Sequence, residues 1–113
     1  MKDGSAGKPQ LFVGPDCKNL NGADGIVLDK NSGSFIVAVN KLNKIVRVSM
    51  DKKITILQSG GGILDFPGSV KIDNATSGKT TPPQQQILYI TNFGLISASK
   101  HLTPRTALLK AGP

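Results

Sequence analysis

Few side chains in this chain can do chemistry. There is one cysteine, Cys17, one histidine, His101, and seven carboxylates, every one an aspartate. A Cys–His nucleophile pair needs the two side chains in hydrogen-bond reach and a third group to orient the base. Cys17 lies in the turn-rich stretch GPDCKNLNGAD and His101 in KHLTP, and neither context carries that arrangement. No Gly-x-Ser-x-Gly elbow is present for a serine nucleophile. A single cysteine also excludes an internal disulfide and a multi-cysteine zinc site within one chain. The stretch DNATSGKTT, Asp73 to Thr81, comes near a phosphate-binding loop through Gly78-Lys79-Thr80. Asp73 stands where that loop needs its first glycine, and Pro82-Pro83 exclude the helix that should receive the anion. A long hairpin loop accounts for it better. The triplet Asn74-Ala75-Thr76 is a glycosylation acceptor only on a eukaryotic secretory route.

Asp24 is the most informative acid. It sits between Ala23 and Gly25, ahead of a strand-like run. One reading makes it a turn residue that caps the entry to the strand. The other makes it an oxygen ligand for a hard cation such as calcium, whose remaining ligands come from elsewhere. Spacing alone favours the cap reading, so the elements that position Asp24 matter.

Those elements read as strands. The absence of Glu, with thirteen Gly and seven Pro, favours strands joined by turns over helices. The chain has 113 residues, which predicts one domain. Residues 1–9 read as a flexible N-terminal extension, and Gln10–Val13 (QLFV) as a short strand ended by Gly-Pro-Asp. Strands follow at Gly25–Asp29, Ser34–Asn40, Lys44–Ser49 and Ile54–Gln58. The run SFIVAVN is continuously apolar, which predicts a strand covered on both faces. The pattern then repeats. LDFPGSVKID ends in Ile-Asp as the first unit's opening strand ends in Leu-Asp, ILYITNF parallels FIVAVN, and TALLK parallels KIVRV. A repeat of roughly forty to fifty residues with four short antiparallel strands predicts propeller blades.

The predicted fold is therefore all-β, a partial β-propeller of about two four-stranded antiparallel blades. Residues 10–13 form the outer strand of a preceding blade, 22–58 a complete blade, and 64–113 a final blade without its fourth strand. In this frame Asp24 heads an innermost strand and can point into a central channel.

Net charge is +7, but no lysine run exceeds Lys52-Lys53 and no aromatic row accompanies them. Specific nucleic-acid binding is not expected. The longest apolar run, Phe35–Val39, is too short to span a membrane, and residues 1–10 lack the apolar core of a signal peptide. Compartment stays undetermined.

The ordered set Ala-Asp-Gly-Ile, Asn-x-Ile-Val-Arg-Val, Leu-Asp-Phe-Pro and Tyr-Ile-Thr-Asn-Phe resembles the last two blades of the gluconolactonase family. That family includes senescence marker protein (regucalcin) and luciferin-regenerating enzyme, and it is related to NHL-repeat propellers. The resemblance runs from about Gln10 to the end. It implies the C-terminal part of a six-bladed propeller that hydrolyses sugar lactones with a divalent metal, commonly calcium, in its channel. It also implies Asp24 as a metal ligand and as a catalytic base. The family takes a Glu ligand from its first blade and an Asn from a middle blade, and this chain has no Glu. The isolated monomer is therefore not expected to be competent. The implied partners are missing blades or identical subunits, with a small lactone as substrate. The alternatives are a non-catalytic propeller module for binding or scaffolding, and a short protein that closes a propeller by homo-oligomerisation.

Overall fold

A computed structural model describes residues 4–60, 62–74, 86–95 and 107–111, with Asn74 and 107–111 described by their backbone. It is all-β. Among the described residues seven strands run in chain order: β1 (Ala23–Asp29), β2 (Ser34–Val39), β3 (Lys44–Val48), β4 (Ile54–Ser59), β5 (Pro67–Asn74), β6 (Gln86–Asn92) and β7 (Ala107–Ala111). They form two antiparallel meanders, a four-stranded sheet β1-β2-β3-β4 and a three-stranded sheet β5-β6-β7. No helix among the described residues is long and apolar enough to cross a membrane.

The first sheet is buried on both faces of its central strands. Ile36, Ala38 and Ile45 point to one side and join Leu64, Val70 and Ile90 of the second sheet and its entry loop. Val37, Val39, Val46 and Val48 point to the other side. A run of β-branched residues with no polar alternation leaves the pleat no solvent face, so both sides must be covered. The second sheet covers one side. Val13, Leu20, Phe35, Leu42 and Ile54 pack on the other.

Gln10–Val13 departs from expectation, because it has no regular secondary structure. A strand needs a neighbouring edge about 4.8 Å away. This segment instead lies over the face of the first sheet, with the Phe12 ring edge-on to Phe35 at 6.0 Å.

The two sheets are locked through the loop that joins them. The side chain of Asn43 donates to the Leu64 carbonyl at 2.8 Å and accepts from the Phe66 amide at 3.0 Å. Asn92 does the same one residue earlier, donating to the Ile63 carbonyl at 2.8 Å and accepting from the Asp65 amide at 3.1 Å. Removing either amide strands two loop backbone groups. We expect Asn92→Ala to cost about 2 kcal/mol in denaturant unfolding. Asn43→Ala should cost more, because Asn43 also holds a left-handed conformation (φ 53°) that asparagine tolerates better than alanine. Equal and negligible shifts for the pair would remove the clamp from the account.

Candidate functional site

Both inner strands open with a bulge. In β1, Ala23 faces Val39 and Ile26 faces Val37, so Asp24 and Gly25 together stand opposite Ala38. In β5, Pro67 faces Asn92 and Ser69 faces Thr91, which leaves Gly68 as the extra residue. A bulge re-aims the side chains at it and increases local twist. Here it turns Asp24 out of the ladder toward the seam between the two inner strands. A Cβ placed on Gly68 would lie 3.9 Å from Asp24 Oδ2, so the carboxylate sits beside the neighbouring bulge.

The glycines flanking Asp24 have separate causes. Gly22 adopts φ +81°, and a Cβ there would come 2.5 Å from Asn40 Oδ1. Gly25 has no unusual dihedral, but a Cβ there would meet the Gly68 carbonyl oxygen at 2.5 Å and Ser69 Cα at 2.8 Å. Gly25 is thus a point of close backbone approach between the two sheets.

Asp24 is exposed, and Asn40 Nδ2 approaches its Oδ2 at 3.4 Å. On its other side runs a groove of about 630 Å³ between the first sheet and the Gln10–Val13 segment. Leu11, Phe12, Leu20, Ile26, Phe35 and Met50 line most of it, so Asp24 provides a lone carboxylate at an apolar surface.

Three other described carboxylates, Asp16, Asp51 and Asp65, lie elsewhere. Asp16 accepts from the amides of Lys18 and Asn19 and from the Asn19 side chain, which holds its pKa below the usual value. Asp51 accepts from Ser49 Oγ, which acts in the same direction. Asp65 is fully buried in the loop between the sheets. Among the described residues no three acidic, histidine or cysteine side chains converge. Calcium takes six to eight oxygens. Among the described residues Asp24 has one side-chain amide neighbour and no second carboxylate to share such an ion.

A second polar constellation is absent from the sequence-based expectations. Asp29, at the end of β1, is 2% exposed. Its carboxylate accepts from Arg47 Nη1 at 2.8 Å, Ser32 Oγ at 2.7 Å, Gln86 Nε2 at 2.7 Å and the Asn31 amide at 3.1 Å. Burial pushes its pKa up, but hydrogen bonds from Arg47, Ser32, Gln86 and Asn31 outweigh this and hold it well below the carboxylate range. The only sequence signal was the Leu-Asp strand ending. Its donors lie 2 to 57 residues away along the chain. This group is saturated and buried, which makes it a structural tie between the sheets.

Cys17 is exposed and carries a free thiol. His101, Gly78-Lys79-Thr80 and the acceptor triplet beyond Asn74 lie outside the described residues.

No family model matches the chain, and comparison with curated proteins and with solved structures yields no match.

Proposed function

We propose that this chain is a two-sheet portion of a lactonase-like β-propeller in which Asp24 supplies one inner-rim carboxylate. The observation that carries the reading is the position of Asp24, exposed in a glycine-flanked bulge at the seam of two adjoining inner strands. A carboxylate so placed can accept the proton of a water that attacks a lactone carbonyl. Among the described residues no second or third carboxylate gathers with Asp24 to hold a calcium ion. One copy alone is therefore inactive in this reading, and additional sheets must complete the rim. A non-catalytic binding module is the second reading, favoured by the apolar groove beside a single carboxylate.

Hydrolysis of a sugar lactone, followed by base uptake at constant pH with and without calcium, tests the proposal. Dilute chain should show only the spontaneous rate. Hydrolysis should appear where further sheets are present, in associated copies or in a longer chain. Asp24→Asn should then lower it about 100-fold or more with the fold unchanged. An undiminished rate in Asp24→Asn would reject the role of Asp24. Absence of hydrolysis in every assembled form would leave the binding module.

A further inference from the structure

We propose that Gln10–Val13 of one copy adds as the fourth strand of the β5-β6-β7 sheet of a second copy, along the outer edge of β7. The two meanders follow one plan. Each opens with a bulged inner strand and continues by antiparallel neighbours. The first has four strands and the second three. Among the described residues β7 pairs with β6 alone, and no described strand lies along its other edge.

The segment suited to that edge is displayed by the same chain. Gln10–Val13 is rich in strand-forming side chains, and its backbone pairs with no described backbone group. Phe12 and Val13 anchor it over the outer face of the first sheet. It therefore already occupies the layer where another sheet would lie. Beside it in that layer is the apolar groove, where Leu11 is 74%, Ile26 60% and Met50 54% exposed. Within the chain, the opposite face of the same sheet is covered by residues of β5 and β6 and the loop before them. A second copy's β5-β6-β7 sheet on the outer face continues that packing between molecules. By register, Ile87 and Tyr89 share the sheet face turned away from the core, so they would enter the groove. Ser69, Lys71, Asp73 and Thr91 share that face. The face contact is mixed in polarity, and the backbone pairing supplies the specificity. Donor segment and acceptor edge are different surfaces, so the contact is heterologous and builds a ring or an open chain. The inference rests on strand count and surface, not on the hydrolase reading. Association without hydrolysis would keep this proposal and exclude associated copies as the source of that activity.

Sedimentation of the full chain over a range of concentrations tests it. The weight-average mass should rise from one chain of 11.8 kDa to at least twice that value. Leu11→Pro removes a backbone donor from the added strand at a side chain that is 74% exposed, and it should stay at one chain while keeping the β-sheet circular dichroism. The peptide KPQLFVG in excess should return the wild type to one chain, which tests the edge without any substitution. A wild type that remains monomeric throughout overturns the proposal. So does association that Leu11→Pro and the peptide both leave unchanged, because that result assigns it to the apolar face alone.

Discussion

Gly25→Ala is expected to destabilise the fold by about 3 kcal/mol, a large effect for one added methyl group. The added carbon would lie 2.5 Å from the Gly68 carbonyl oxygen and 2.8 Å from Ser69 Cα. Both are backbone atoms of the neighbouring inner strand, and neither can rotate away. The two sheets must separate at that point, which loosens the contact of Ile36, Ala38 and Ile45 with Val70 and Ile90. At a urea m-value of about 1.5 kcal/mol/M the unfolding midpoint should fall by about 2 M. Gly33→Ala is the control. Gly33 holds φ +69° in the turn between β1 and β2, but nothing lies within 4 Å of the added carbon. That substitution pays only for the left-handed backbone, about 1 kcal/mol. Equal midpoint shifts for the two would mean that the close approach of the sheets carries no weight.

The second large effect concerns Asp29 and acid. Its depressed pKa sets the sign: the unfolded carboxylate titrates near pH 3.9, and the folded one below that. The stabilisation is complete above about pH 4 and is lost as pH falls further. Asp29→Asn removes this titration, and Asp29→Ala leaves Arg47, Ser32 and Gln86 without their shared acceptor. The alanine variant should lose about 3 kcal/mol at neutral pH. The asparagine variant should show a flatter decline of its urea midpoint between pH 4 and pH 2 than the wild type. Asp16 and Asp51 are also depressed and contribute to the decline in both proteins, so the difference between the profiles isolates Asp29. Parallel profiles would exclude Asp29 as the acid-sensitive tie.

Much of the strand pattern was legible in the residues. The unbroken run Phe35–Val39 foretold a strand with no solvent face, and its buried pattern bears that out. Turn residues marked the hairpins, and Gly33 takes a positive φ between β1 and β2. The Ala-Asp-Gly motif drew attention to Asp24. Its cap reading and its rim reading differ only in what stands next to it in space. The neighbouring bulge at Gly68 lies 44 positions further along the chain. No local pattern announces that meeting. The same holds for Gly25, whose lack of a side chain is demanded by another strand, and for Asp29, which needs Gln86 to complete its hydrogen bonds.

Gln10–Val13 shows the converse. Its composition is that of a strand, and propensity measures how a segment fits a pleated surface beside a partner. Without a described edge alongside, the same residues set Phe12 edge-on to Phe35, pack Val13 on a sheet face and pair their backbone with no described backbone group.

The sequence by itself determined the all-β class, the positions of most strands and the supply of acids without glutamate. These follow from side-chain period, turn chemistry and composition, which act over a few residues. Only the tertiary structure decided that the sheets meet at Gly25, that Asp29 is a buried carboxylate saturated with hydrogen bonds, and that Asp24 stands exposed with one amide near it. Those outcomes depend on residues far apart in the chain being brought within a few ångströms, where backbone contact and desolvation act.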